Sequence, residues 1–349
     1  MKTGARKPMG ERPALFWEAG PGDTVECRLC PHGCRLKAGH RGRCRVRMNS
    51  EGELVTLNYG RVTSLALDPV EKKPLYHFYP GTTILSVGTM GCNLTCRFCQ
   101  NWRLSQGQAP YTPMSPVELV DRAAALGGED CIGIAFTYNE PLVWYEFVID
   151  SCRESYDRGL KNVLVTNGFV QSEPWRRLLS LVHAVNIDMK GLDAEFYREV
   201  CGGSPDEVME SVETAFEMGV HLEVTNLLIP GRNDSPEEVS QLAGWLASLS
   251  PDIPLHLSRY FPNYQLTLPP TPVETLQRAR QEALRHLRHV YVGNLWTSEG
   301  TDTICYNCGQ VLIERNGLKA EILGLSGGVC GTCGQEIAVR DSRSDGSQY

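Results

Sequence analysis

From Thr83 onward, short apolar runs alternate with longer amphipathic stretches. The runs are TILSV (83–87), CIGIAFT (131–137), NVLVTN (162–167), AVNIDMK (184–190), HLEVTNLL (221–228) and PLHLSRYF (254–261). Between them lie helical patterns. SPVELVDRAAALGG opens on a Ser cap and closes on Gly, and SPDEVMESVETAFEMG and SPEEVSQLAGWLASL are built alike. Strand–helix alternation repeated about six times predicts an α/β fold with a parallel sheet, open or closed into a barrel. A further run, HVYVGNL (289–295), is a candidate seventh strand.

The flanks read differently. Residues 51–82 suggest short antiparallel strands ending in a Pro/Gly-rich turn, and after Thr301 the chain turns to paired cysteines. The polar tail 341–349 reads as disordered. No repeat of fixed period is evident.

Composition narrows the class. The 349 residues carry 34 Lys+Arg against 41 Asp+Glu, a net charge of −7. An apolar content of 42% with 21% charged residues argues against wholesale disorder. No window approaches the roughly 18 apolar residues of a spanning helix. The N-terminal stretch is positively charged but has no continuous apolar core, so it does not read as a secretory signal. The expected compartment is therefore the reducing cytoplasm, without membrane attachment.

That expectation changes the meaning of 14 cysteines, because clustered cysteines in a reducing compartment read as metal or redox chemistry. Three groups stand out: Cys27, Cys30, Cys34 and Cys44; Cys92, Cys96 and Cys99; and Cys305, Cys308, Cys330 and Cys333. The isolated Cys131, Cys152 and Cys201 read as buried small hydrophobes. Between Cys27 and Arg47 lie seven basic residues and no acid, a patch suited to offsetting thiolate charge or to attracting an acidic surface. Overall acidity argues against broad nucleic-acid binding.

The middle group, GTMGCNLTCRFCQNW, follows the first strand. Three thiolates on one loop cannot complete a tetrahedral structural zinc site, but they can hold three irons of a [4Fe–4S] cluster and leave the fourth open. The C-x3-C-x2-C spacing, with Phe98 before the last Cys, resembles the radical S-adenosylmethionine (SAM) enzymes. That resemblance implies a partial (β/α)6 TIM-like barrel over residues 83–296. It also implies that SAM chelates the open iron and is cleaved reductively to a 5′-deoxyadenosyl radical, which abstracts a substrate hydrogen.

Further SAM contacts are expected at the C-terminal ends of the strands. Tyr138-Asn139-Glu140-Pro141 stands where superfamily members often carry Gly-Gly-Glu-Pro; it keeps the Glu and Pro and lacks both glycines. Thr166-Asn167-Gly168 and Asp188-Met189-Lys190 resemble elements of the pyruvate formate-lyase activating enzyme group. There they approach the SAM carboxylate and an associated monovalent cation. His256 and Arg259 on the sixth strand are further candidates for the cofactor or substrate cavity.

Two cysteine modules flank this unit. Residues 297–340 carry Cys305-x2-Cys308 and Cys330-x2-Cys333, each followed by Gly, with VLIER between them. Such knuckles make a zinc-ribbon or rubredoxin-like module; the spacing suits zinc or one iron. Residues 1–50 carry Cys27, Cys30, Cys34 and Cys44, which suit zinc or an auxiliary iron–sulfur cluster, with His32 and His40 as substitute ligands.

The combination of an N-terminal Cys-rich segment, KKPLYHFYPG (72–81), TYNEP and a C-terminal four-Cys ribbon resembles the AmmeMemoRadiSam-system radical SAM proteins. These are relatives of the activating enzymes and are encoded beside Memo-like and AMMECR-like proteins. The resemblance implies an electron donor such as flavodoxin or ferredoxin. It allows a glycyl-radical-activase-like reaction on a protein, or modification of RNA or a small molecule. A reading from another class is a zinc-stabilised, non-catalytic binding protein with a degenerate barrel.

Overall fold

The computed structural model describes residues 11–127, 130–295 and 299–341. Its centre is one eight-stranded sheet. The strands are β1 (Ser64–Pro69), β2 (Thr83–Gly88), β3 (Cys131–Phe136), β4 (Lys161–Thr166), β5 (Ala184–Asp188), β6 (His221–Leu228), β7 (Leu255–Arg259) and β8 (Val290–Gly293). They lie in chain order across the sheet. β2 through β8 run parallel, and β1 pairs antiparallel with β2. The HVYVGNL run is thus a seventh parallel strand beyond the six counted from the strand–helix alternation.

Helices α1 (Pro116–Ala125), α2 (Tyr145–Tyr156), α3 (Ser172–Leu179), α4 (Asp206–Glu217), α5 (Pro236–Leu249) and α6 (Val273–Ala283) connect these strands. Their apolar positions recur at helical spacing; α5 buries Val239, Leu242, Ala243 and Leu246. Ser115 caps α1 in a reciprocal capping box with Glu118, and Ser235 accepts the Glu238 N–H of α5. Ser204 departs from this pattern. Pro205 occupies the cap position of α4, and the Ser204 hydroxyl donates to the Glu207 carboxylate instead. The parallel strands are buried nearly end to end, as β6 shows.

The stretch 74–79 packs into the sheet beside the N-terminal halves of the strands. The buried Glu223 carboxylate accepts the backbone N–H groups of Tyr76 (3.0 Å) and His77 (2.7 Å). It also accepts from Nε2 of His221 (3.0 Å) and of His256 (2.6 Å). Burial alone would raise its pKa, but the two imidazoles hold it well below the ordinary carboxyl range. Asn186 donates to the Pro74 carbonyl at 2.8 Å, completing the anchorage.

The two cysteine modules dock on either side. In the N-terminal one, Arg47–Ser50 and Glu53–Thr56 form a hairpin, so the module runs past the expected end at residue 50. The C-terminal module is the antiparallel set Thr303–Ile304, Val311–Asn316 and Lys319–Ile322 between its two Cys pairs. Its Arg315 is buried, lies over the Tyr76 ring (4.1 Å) and donates to the Tyr76 carbonyl (2.7 Å). Asp341, assigned from sequence to the tail, is buried; residues 342–349 lie outside the described residues. Among the described residues, no helix is long and apolar enough to cross a membrane.

Four donors converge on Glu223, so removing its carboxylate strands two backbone amides and two imidazoles in the interior. Glu223→Ala is expected to destabilise the fold by about 3–5 kcal/mol, read as a lowered urea midpoint under anaerobic conditions. A midpoint within error of wild type would contradict this anchoring role.

Candidate SAM and iron–sulfur site

The loop after β2 carries Cys92, Cys96 and Cys99 at the C-terminal end of the sheet, where α/β proteins place their chemistry. All three sulfur-bearing residues are partly exposed, while Asn93, Leu94 and Phe98 between them are buried and hold the loop down. Gly91 is at φ +95°, and a Cβ there would stand 2.8 Å from the Cys44 carbonyl. Only glycine permits this close approach to the N-terminal module.

Glu140, fully buried, ties the neighbouring strand ends together. Its Oε1 accepts from the Thr166 hydroxyl (2.7 Å) and from Leu142 N–H (3.0 Å), and its Oε2 accepts from Asn167 N–H (2.8 Å). The Asn167 side chain then donates to Asn93 Oδ1 (2.9 Å) and approaches the Cys92 sulfur at 3.7 Å. Burial pushes the Glu140 pKa up to about 7, against its three hydrogen bonds.

Asn139 fixes the near side of the loop, accepting Thr89 N–H at 3.1 Å and donating to the Gly91 carbonyl at 2.8 Å. Tyr138 sits at φ +73°, receives Asn101 Nδ2 on its carbonyl (2.6 Å) and donates its hydroxyl to Asp68 (2.8 Å). Lys190 pairs with Asp188 at 2.8 Å. Burial opposes its charge, but Asp188 and the Cys96 sulfur hold its pKa above the usual lysine range.

The structure therefore gathers Tyr138, Asn139, Glu140, Thr166, Asn167, Asp188 and Lys190 around the cysteine loop. The other two sequence candidates lie elsewhere. Arg259 stands at the same end of the sheet, but its Nε donates to the Thr271 carbonyl (2.7 Å) and its guanidinium covers the Phe261 ring. His256 is not in this group; it is bound to Glu223 and packed edge-on against Tyr76 at 4.8 Å.

One residue assigned to packing has a further contact. Cys201 is buried, yet its thiol donates to Cys96; with the Lys190 charge, this holds the Cys96 pKa below the usual thiol range despite burial. The backbone makes the meeting possible. Thr95 N–H donates to the Cys201 carbonyl (2.8 Å), and a Cβ on Gly202, at φ +79°, would stand 2.4 Å from Thr95 Oγ1. The Gly-Gly pair after Cys201 was the available signal of a close approach. Asn93, inside the motif, is a further residue of the site that the cysteine spacing does not mark.

The C-terminal quartet is drawn much tighter. Its four sulfurs lie within 4.8 Å of one another, with Cys305 and Cys333 3.6 Å apart and Cys308 and Cys330 3.7 Å apart. A tetrahedron of sulfurs around one ion at about 2.3 Å has edges near 3.8 Å, so the quartet has single-ion dimensions.

These features agree with the comparisons. The profile of the radical SAM superfamily matches residues 86–244, from within β2 into α5. The uncharacterized protein MJ0808 of Methanocaldococcus jannaschii is 42% identical over 336 residues, covering 94% of this chain and 99% of that one. The pyruvate formate-lyase-activating enzyme of Clostridium pasteurianum is 24% identical over 46% of this chain and 67% of its own length. The 4-hydroxyphenylacetate decarboxylase activating enzyme of Clostridium scatologenes is 26% identical over 41% of this chain and 46% of its own. In fold, the chain is similar to Streptococcus suis SuiB bound to S-adenosylmethionine, with a TM-score of 0.51 at 14% identity over 65% of this chain and 54% of that one.

Residues 86–244 form a radical SAM domain. The chain as a whole belongs to one family with the Methanocaldococcus jannaschii protein, and it has homologues among the activating enzymes.

Glu140 accepts from three donors, so an amide in its place turns an N–H group toward one of them. Glu140→Gln is expected to cost about 1–3 kcal/mol of stability at acid pH, measured by thermal melting of the metal-free chain. A raised carboxyl pKa contributes stability in full below its unfolded value and loses it as pH rises through the folded value. The wild-type advantage should therefore shrink as pH climbs from the ordinary carboxyl range through about 7. A gap that widens over that window would contradict the assignment.

Proposed function

We propose that this protein is a radical SAM enzyme of the activating type, acting on a protein substrate. The observation that carries the reading is the junction of Cys92, Cys96 and Cys99 with Glu140, Thr166, Asn167 and the Asp188–Lys190 pair at one end of the parallel sheet. Three cysteines on one loop fit a [4Fe–4S] cluster with one open iron, and a buried lysine beside them fits the negative charge of its thiolates. Cys92, Cys96 and Cys99 would hold this cluster, which would supply the single electron for reductive cleavage of SAM and so for hydrogen abstraction from the substrate.

The chain's own groups divide the remaining tasks. Glu140 and Asn167 orient the loop, and Asn139 fixes its entry. Thr166, Asp188 and Lys190 offer polar groups at the strand ends to the amino-acid portion of SAM, with Asp188 also suited to an accompanying monovalent cation. Tyr138 and Arg259 border the same strand ends.

The activating-enzyme homologues support a protein substrate. They share only part of their length with this chain, and the flanking modules belong to this chain's own family. We place that family in the AmmeMemoRadiSam system, with a low-potential flavodoxin or ferredoxin as donor and Memo-like or AMMECR-like proteins as partners. We assign the C-terminal quartet a single metal ion, zinc or iron, on the strength of its single-ion spacing.

Anaerobically reconstituted protein, reduced with SAM present, is expected to release 5′-deoxyadenosine, and Cys96→Ala is expected to release none. Asp188→Ala should raise the KM for SAM by about tenfold, the loss of one charge-assisted contact. Wild-type protein with a full iron and sulfide complement and no deoxyadenosine would overturn the reading.

A further inference from the structure

The N-terminal quartet differs from the C-terminal one in size. Cys27, Cys30, Cys34 and Cys44 line a single cavity, together with His32 and Arg47. Among the described residues, however, only the C-terminal quartet brings its ligand atoms within 4.8 Å of one another. The N-terminal sulfurs line one cavity at a wider spacing than that. One ion at about 2.3 Å from each sulfur requires edges near 3.8 Å. A cubane carries its irons at alternate corners and its thiolates outside them, so its cysteines stand further apart.

The cavity is built for a negatively charged occupant. Arg47, buried to 1% exposure, donates to the Cys27 sulfur at 3.5 Å, and its Nε has no hydrogen-bond partner in the protein. Its other contacts, the Leu15 carbonyl and the Glu146 carboxylate, hold the guanidinium in place. The backbone N–H groups of His32, and of Val46 and Arg47, lie beside the Cys30 and Cys44 sulfurs. Such donors tune bound iron–sulfur groups.

The same module touches the SAM loop. His32, from the cavity wall, binds the Asn93 carbonyl through Nε2 at 2.7 Å, and Asn93 follows Cys92 directly. Lys37, Arg41, Arg43 and Arg45 are exposed, with no acid among them in sequence; Arg43 also lines the cavity, and Arg45 donates to the Gln106 carbonyl.

We propose that Cys27, Cys30, Cys34 and Cys44 hold a second [4Fe–4S] cluster, ligated by cysteine at every iron, that receives single electrons from an acidic carrier and passes them to the Cys92 loop. Full ligation leaves no iron open to SAM or substrate, so electron transfer is the chemistry available to it. The carrier, a reduced flavodoxin or ferredoxin, is oxidised by one electron. The cluster cycles between its 2+ and 1+ core states, and no bond or proton changes hands. The basic collar fits the carrier by charge. The relay role rests on the radical SAM reading; the cluster assignment does not.

Acid-labile sulfide separates the two claims, because a single zinc or iron ion brings none. The variant Cys92→Ala/Cys96→Ala/Cys99→Ala, reconstituted anaerobically, should retain about four sulfides per chain and give an EPR signal on reduction that SAM leaves unchanged. Adding Cys30→Ala and Cys34→Ala should remove both. A triple variant that folds, binds one zinc and holds no sulfide would overturn the assignment. For the relay, Lys37→Glu/Arg41→Glu should slow flavodoxin-driven deoxyadenosine formation by about tenfold at low salt and leave the dithionite-driven rate unchanged. Equal rates with both reductants, or equal losses, would overturn the relay while the sulfide count still judges the cluster.

Discussion

The bonds around Glu140 bring the separate strand ends of this protein into one site. A carboxylate buried at the end of β3 accepts from Thr166 and Asn167 at the end of β4, and Asn167 reaches Asn93 and Cys92 on the loop after β2. Three successive parallel strands are thereby locked in register where the chemistry is expected. An unpaired carboxylate in that setting would be costly; here every strand-end donor it meets is satisfied. The same constraint explains how Tyr138-Asn139 can stand without glycines. The loop is held by the Asn139 side chain and by the Tyr138 carbonyl, which needs a positive φ that an aromatic residue adopts here under restraint.

A second carboxylate does equivalent work at the other end of the sheet. Glu223 fastens the 74–79 stretch, which carries the C-terminal module through Arg315. On the opposite flank, Arg47 and Glu146 fasten the N-terminal module to the start of α2. Three buried carboxylates (Glu140, Glu223 and Glu146) and two buried arginines (Arg47 and Arg315) thus join the cysteine modules and the Cys92 loop into one body. The excess positive charge of the N-terminal module is spent partly inside, beside the Cys27 sulfur, and partly outside as an exposed collar.

Much of this was legible because it is local. The strands announce themselves by apolar runs, α1 and α5 by Ser caps, and the three cysteine groups by their spacing. HVYVGNL was readable as a strand, and its parallel pairing with β7 added one strand to the count. What escaped was long-range. Nothing near Cys201 in sequence says that it meets Cys96, and nothing near Arg47 names Glu146. His256 illustrates a different loss. Alternation along β7 tells which face a side chain takes, but not its depth; His256 is the second residue of the strand and faces Glu223, whereas Arg259 is the last. Ser204 failed as a cap because Pro205 took the cap position and left its hydroxyl to Glu207.

The central claim is that the Cys92 loop holds a cluster whose open iron takes SAM. The most direct measurement is the EPR spectrum of the reduced, reconstituted protein before and after SAM is added, compared with Cys30→Ala/Cys34→Ala protein, in which only the Cys92-loop cluster remains. A signal that shifts its g-values on SAM addition is expected in both proteins. A reduced cluster signal on the Cys92 loop that SAM leaves unaltered would contradict that claim.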